Sequence, residues 1–136
     1  GSLSVVMIDL DGMKLLNDQH GHAAGDVALR SVASVIRQSI RGVDVAARLG
    51  GDEFAVVMPA TTAAAAARVA ERIRAGIGGL ALPSGARMSA SFGVATLSGA
   101  PRGIGFAGDE LMARADAALY AAKRAGKNRI ELAAAA

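Results

Sequence analysis

Apolar and polar positions along the chain change period several times, and each change marks an element. Residues 3–10 (LSVVMIDL) are apolar on both alternating faces as far as Asp9, the pattern of a strand covered on both sides. Residues 11–22 are polar and carry glycine, with a short helical turn predicted over 13–17. From 23 to 40, Leu29, Val32, Ala33, Ile36 and Ile40 recur at helical spacing and predict an amphipathic helix. Residues 43–49 and 54–58 are strand-like runs on either side of Gly50 and Gly51, a glycine pair that signals a hairpin, and Pro59 ends the second run. Thr61 or Thr62 caps the next helix, whose buried stripe is Ala66, Val69, Ala70, Ile73 and Ile77; Gly76, Gly78 and Gly79 end it. Residues 87–97 read as a strand and 98–108 as a glycine-rich loop with Pro101. Asp109 caps a last helix that buries Met112, Ala115, Leu119 and Ala122; Gly126 stops it, and 129–132 form a short final strand.

The resulting order, β-α-β-β-α-β-α-β, contains the βαββαβ pattern of a ferredoxin-like split sheet, an α+β fold with a mostly antiparallel central sheet flanked by helices. With no internal repeat and no linker, residues 3–132 read as one domain. Gly1 and Ser2 read as an expression scar and residues 133–136 as a trailing tail. In this topology the first strand lies beside the hairpin at the sheet centre, which carries Asp9 toward Asp52 and Glu53.

Composition narrows the chemistry. The 136 residues are 52% hydrophobic, enough for a real core, which excludes a disordered chain. There is no cysteine, so disulfides and thiolate metal sites are excluded and a reducing cytoplasm is the expected compartment, with the parent protein free to be membrane-anchored. No apolar run approaches the roughly 20 residues that span a bilayer. The net charge of +3 suits an anionic small ligand, whereas the absence of Trp and the low aromatic content supply no stacking platform for nucleic acid.

Against that background the hairpin run Arg48-Leu49-Gly50-Gly51-Asp52-Glu53-Phe54 stands out. Glycine backbone admits a bulky anion, and carboxylates beside it would repel phosphate unless a cation lies between them. Asp9 and Asp11 point the same way in extended backbone, with the Leu10 carbonyl as a further oxygen donor. An isolated Asp-x-Asp is usually a solvated turn; arrival of Asp52 and Glu53 from neighbouring strands favours a hard cation such as Mg²⁺. Asn17 and Asp26 carry the donors and acceptors that read a guanine edge, and Lys14 can meet phosphate, though taken alone these residues fit turn and cap chemistry better. Lys123 and Lys127 share a helical face with Asp116 and Tyr120; they either compensate the helix dipole or hold a triphosphate. Arg41, Asp44, Arg68 and Arg72 can fork onto phosphate or stand as surface charge. His20 and His22, two apart in a loop, read as structural.

Taken together, GGDEF at 50–54, DLDGMKLLND at 9–18, GHAAGD at 21–26 and ADAALYAAKRAGKN at 115–128 make the chain resemble a GGDEF domain, the diguanylate cyclase family, over essentially its whole length. The resemblance implies a nucleotidyl-cyclase or polymerase-palm-like core that condenses two GTP into cyclic di-GMP and releases two pyrophosphates. By the same resemblance, Asp9, the Leu10 carbonyl, Asp52 and Glu53 hold two Mg²⁺ ions (Mn²⁺ as a substitute), and Asp52 is tied to activating the attacking hydroxyl. Gly50 and Gly51 approach the phosphates, Asn17 and Asp26 recognise guanine, and Lys14, Lys123 and Lys127 contact phosphates. Arg41 and Asp44 match the RxxD product-inhibition site, completed by Arg72. Catalysis requires a second GGDEF domain across a two-fold axis.

Three features depart from the family pattern. Met13 stands where Phe is usual and Lys127 where Arg is usual, and the N-terminal helix with its DxLTGLxNR segment is not among these residues. The other reading the residues allow is a GGDEF module that binds cyclic di-GMP or GTP as a sensor; a general nucleic-acid-binding domain ranks last.

Overall fold

The computed structural model describes residues 1–99 and 104–134. Five strands form one sheet: β1 (Ser2–Asp11), β2 (Val45–Gly50), β3 (Glu53–Pro59), β4 (Ser89–Ser98) and β5 (Ile130–Leu132), in the order β2-β3-β1-β4-β5. All neighbours are antiparallel except β4 and β5. The expected α+β architecture, with the first strand between the hairpin and the next strand, is therefore the observed one.

The double-sided apolar pattern of β1 has its cause in two helical layers. Val6, Ile8 and Leu10 face α2 (His22–Ser39) and α3 (Ala63–Gly78), packing with Val32, Ile36, Ala70 and Ile73. Val5 and Met7 face α4 (Ile104–Ala125), packing with Leu111, Ala115 and Leu119. Because strand side chains alternate, Asp9 and Asp11 fall on the α4 side. Gly12 then turns the chain with a left-handed φ of 74°, into α1 (Met13–His20). The short turn expected over 13–17 thus runs on to His20, with Met13 and Leu16 buried.

Several sequence readings shift for identifiable reasons. Thr62, not Thr61, caps α3: its hydroxyl accepts the Ala65 N–H at 3.2 Å. Gly76 does not end that helix. It lies inside α3 against α2, where a β-carbon would come within 2.7 Å of Val35 Cγ1. Asp109 does not cap α4, which already begins at Ile104; the glycine-rich stretch before it reads as loop because two glycines interrupt its apolar period. The remainder of the predicted loop, 100–103, lies outside the described residues. Met112 is only partly buried, and Leu111 takes its place in the α4 stripe. Ser2 and Ala133, set outside the domain on sequence, both carry sheet bonds: Ser2 pairs with Ser98, and the Ala133 N–H reaches the Val94 carbonyl at 2.7 Å.

Strand β2 is exposed throughout, because it is the sheet edge beyond the reach of α4. At the opposite side, Gly93 of β4 lets the α4 backbone lie directly on the sheet. Among the described residues no helix is long and apolar enough to cross a membrane.

Candidate active site

The site is built where β1 ends beside the β2–β3 hairpin. Asp9 pairs with Glu53 across β1 and β3, so both carboxylates project from the same face of the sheet. The Leu10 N–H donates to the Asp52 carbonyl at 3.0 Å, which ties the hairpin tip to the end of β1. The tip is held from its other side by Arg48, whose Nε and Nη2 both donate to the Gly51 carbonyl, at 3.0 and 2.7 Å. Gly51 has φ 36°, and a β-carbon on either Gly50 or Gly51 would point into open space. The backbone here is accessible to a large ligand.

From the opposing helix, Lys123 reaches into this group. Its ammonium lies 3.6 Å from Asp9 Oδ2, 3.4 Å from the Asp9 and Leu10 carbonyls, and 2.7 Å from Asp11 Oδ1. Three of the oxygens expected on sequence to meet a cation therefore do meet one, the protein's own. Burial pushes the Asp9 carboxyl above its ordinary range, and neighbouring Asp52 and Asp11 add to this while Lys123 opposes it. Glu53 is likewise raised, by burial first and then by Asp116, Asp9 and Asp52. One ammonium thus stands among five carboxylates, a group still short of positive charge.

Asp11 behaves differently from its neighbour. It accepts from Ser89 (2.7 Å), Ser91 (2.8 Å), Lys123 (2.7 Å) and the Asn128 N–H (3.1 Å). Burial alone would raise its pKa, but the bonds from Lys123, Ser89 and Ser91 outweigh it and hold the carboxyl below the ordinary range. With its oxygens engaged, Asp11 anchors the site instead of offering a free ligand atom. The alternating Ser89-x-Ser91 on one strand face was the sequence signal for this anchor; neither serine, nor Asn128, nor Arg48 stands out as chemistry-bearing before the strands are paired.

The donor set of Asp9, Leu10 carbonyl, Asp52 and Glu53 is entirely oxygen and suits a hard cation. Among the described residues no three acidic or histidine side chains are drawn together closely enough to hold an ion by themselves.

The remaining predicted residues fall into separate groups. Asn17 rests on Gly25, immediately before Asp26: a β-carbon at position 25 would lie 1.9 Å from Asn17 Oδ1. This Oδ1 is buried and has no hydrogen-bond partner among the described residues. Exposed Asp26 stands at the rim of a cleft of about 360 Å³ between α2 and the hairpin, floored by Leu29, Ile36 and Phe54 and edged by Arg30, Arg37 and Arg48. Asn17, Asp9, Asp52 and Glu53 do not line it. Lys14 is exposed and meets only Asp18, at 3.4 Å. Lys127 lies on the turn after α4, with a left-handed φ of 65°. His20 and His22 are exposed, at the end of α1 and the start of α2.

Arg41 and Asp44 are brought together by a tight loop. Asp44 accepts from the Arg41 N–H, Nε and Nη2, and Arg41 also reaches the Pro59 carbonyl and Thr61 Oγ1 at 2.7 Å each. The hydrogen bonds from Arg41 depress the Asp44 carboxyl against the opposing effect of burial. Arg72 approaches the same end of α2, donating to the Ser39 carbonyl instead of to Asp44.

A family profile described as "Diguanylate cyclase, GGDEF domain" matches residues 1–129, nearly the whole chain. The chain belongs to the GGDEF family. Its GGDEF core is 39% identical to diguanylate cyclase A of Treponema denticola over 135 residues, covering 96% of this chain and 35% of that protein. It is 40% identical to diguanylate cyclase DgcP of Pseudomonas aeruginosa, covering 98% of this chain and 20% of that one. The chain thus spans about a third or less of these relatives. Among solved structures, the active GGEEF domain of a diguanylate cyclase from Vibrio cholerae superposes with a TM-score of 0.89 at 32% identity, over 99% of this chain and 85% of that one. The GGDEF domain of DgcB from Caulobacter crescentus, in complex with c-di-GMP, gives 0.86 at 36% identity, over 96% and 77%.

Proposed function

We propose that this GGDEF domain condenses two GTP molecules into cyclic di-GMP with release of two pyrophosphates, each 3′-hydroxyl attacking the α-phosphorus of the other nucleotide. The observation that carries this reading is the convergence of Asp9, Asp52 and Glu53 at the open glycine tip, with Lys123 supplying too little positive charge for them. Such a site gains from binding a metal-bound triphosphate, and family membership supplies the reaction class.

In this reading Asp9, the Leu10 carbonyl, Asp52 and Glu53 hold two Mg²⁺ ions, with Mn²⁺ as a substitute; the metal when bound lowers the hydroxyl pKa and neutralises charge on the leaving group. Asp52 is tied to activating the incoming hydroxyl, and Glu53, whose charged form is disfavoured by burial and then by Asp116, Asp9 and Asp52, gains from a cation bound beside it. Gly50 and Gly51 offer open backbone to the phosphates, while Lys123, Lys127 and Lys14 neutralise the tail. Asn17 and Asp26 read guanine, consistent with the buried Oδ1 of Asn17, partnerless among the described residues. One domain holds one GTP, so a second copy completes the reaction across a two-fold axis. Product inhibition is assigned to Arg41, Asp44 and Arg72; because Asp44 holds Arg41, the accessible face of the guanidinium is the part left for ligand.

Incubation with GTP and Mg²⁺ at high protein concentration should yield cyclic di-GMP, at a specific activity that rises with protein concentration. Product-free reactions at every concentration would sink the cyclase reading. Calorimetry with cyclic di-GMP should show weaker binding by Arg41→Ala than by wild type; equal affinity removes the inhibitory-site assignment.

Gly25→Ala is expected to separate fold from recognition. The new methyl displaces a flexible side-chain end, and alanine favours a helix by up to about 1 kcal/mol over glycine, so the melting temperature should hold. GTP affinity should fall by about tenfold as the Asn17 amide is pushed away, a loss of about 1.4 kcal/mol. Unchanged affinity in titration calorimetry would count against Asn17 as a base-reading residue.

A further inference from the structure

A hydrogen-bonded chain runs from α3 to the active-site lysine. Arg74 Nη1 donates to Asn128 Oδ1 at 3.1 Å, the Asn128 N–H donates to Asp11 Oδ2 at 3.1 Å, and Asp11 Oδ1 accepts from Lys123 at 2.7 Å. The middle of this chain is an unusual piece of backbone. Gly126, Lys127 and Asn128 have φ of 125°, 65° and 48°, so two consecutive residues with side chains sit in the left-handed region. Asparagine tolerates that region and lysine does so less readily. Such a turn persists only if its surroundings hold it.

Among the bonds that hold it are the Lys127 N–H to the Ala122 carbonyl at 3.0 Å, the Asn128 N–H to Asp11, and Arg74 on the Asn128 side chain, beside Arg129 Nε on the Lys127 carbonyl at 3.1 Å and the Gly126 N–H on the Lys123 carbonyl at 3.4 Å. The first two belong to the helix end and the site anchor. The third comes from a separate element, and its guanidinium is itself oriented by Glu71 through two bonds. Arg74 has no assigned part in nucleotide chemistry and does not reach the carboxylates.

We propose that Arg74 is a positioning residue: by clamping Asn128 it fixes the strained turn that presents Lys127 and steadies the Asp11 carboxylate that aims Lys123. The inference rests on the reading of Lys127 and Lys123 as phosphate contacts. Loss of the clamp should act on the triphosphate tail and leave base recognition by the distant Asn17 group alone.

Titration calorimetry with GTP and with GMP, in Mg²⁺, tests this on the full chain. Asn128→Gly keeps a residue that accepts the left-handed turn while removing the clamped amide. Arg74→Ala and Asn128→Gly should each weaken GTP by about tenfold, with GMP changed by less than about twofold, and the double variant should be no worse than either single. Glu71→Ala, which removes the carboxylate that orients Arg74 but leaves its bond to Asn128, should weaken GTP by less than Arg74→Ala does. Full additivity of the two changes, equal loss for GMP and GTP, or an Arg74→Ala protein that binds GTP normally would each overturn the proposal. Lys127→Ala separates the two levels: if it binds GTP normally, the phosphate role of Lys127 fails and the clamp has nothing to position. If only Lys127→Ala weakens GTP, that role stands and the Arg74 clamp fails.

Discussion

Glu53→Gln should lower cyclic di-GMP formation by about 10²–10³-fold while leaving the protein folded. The substitution keeps the size of the side chain and removes a charge that the proposed chemistry needs. It should also reveal a stability cost of the native site. Burial, Asp116, Asp9 and Asp52 raise the Glu53 carboxyl above its ordinary 4.5. A carboxyl with a raised folded-state pKa contributes its stability below the unfolded value, and that contribution is lost as pH rises through the folded value. In buffer without divalent cations the wild type should therefore melt lower than Glu53→Gln at neutral pH, with the gap closing as pH falls through the raised folded-state value toward 4.5. Activity and melting temperature should move in opposite directions, the pattern of a site in which charges are crowded for function. A variant that keeps wild-type turnover, or one that melts lower at neutral pH, contradicts the role assigned to Glu53.

Gly93→Ala is expected to have the largest effect on stability. A β-carbon there would lie 2.1 Å from the Ala115 carbonyl oxygen and 2.3 Å from the Leu119 nitrogen. Both are backbone atoms of α4, so no rotamer change relieves the clash and the helix must lift from the sheet. Overpacking a core typically costs 1–3 kcal/mol, and a backbone clash belongs at or beyond the top of that range. A loss of about 3 kcal/mol or more corresponds to roughly 12 °C in melting temperature for a domain of this size. Gly108→Ala, also in α4, meets nothing within 4 Å and should hold or slightly raise the melting temperature. The same lift would carry Lys123 away from Asp9 and Asp11, so any Gly93→Ala protein that folds should bind GTP poorly. Wild-type melting of Gly93→Ala in a circular-dichroism scan would refute the close approach.

Much of the fold was legible because its elements are strongly periodic. The double-sided run of β1, the helical stripes of α2 and α3 and the glycine hairpin all follow from spacing along the chain, and most boundaries fall within two or three residues. The errors cluster where a residue type has two uses. Gly76 reads as a stop but serves as a contact, since a missing side chain permits either a turn or a close approach to Val35. Asp109 reads as a cap but lies inside α4, because a carboxylate that favours helix starts is also tolerated on a solvent face.

The sequence by itself determined the α+β order, the GGDEF resemblance and the residue types of an oxygen-rich, phosphate-directed site. These are properties of spacing and side-chain chemistry, which are local. The tertiary structure alone decided how those residues divide their work. Asp9 and Asp11 are identical in type and two apart, yet strand pairing sets Asp9 opposite Glu53, where burial raises its pKa, and gives Asp11 a lysine and two serines that lower its pKa, with the Asn128 N–H as a further donor. Partners that decide a charge's role come from strands, helices and turns up to 117 positions away along the chain, and no local pattern specifies which of them meet.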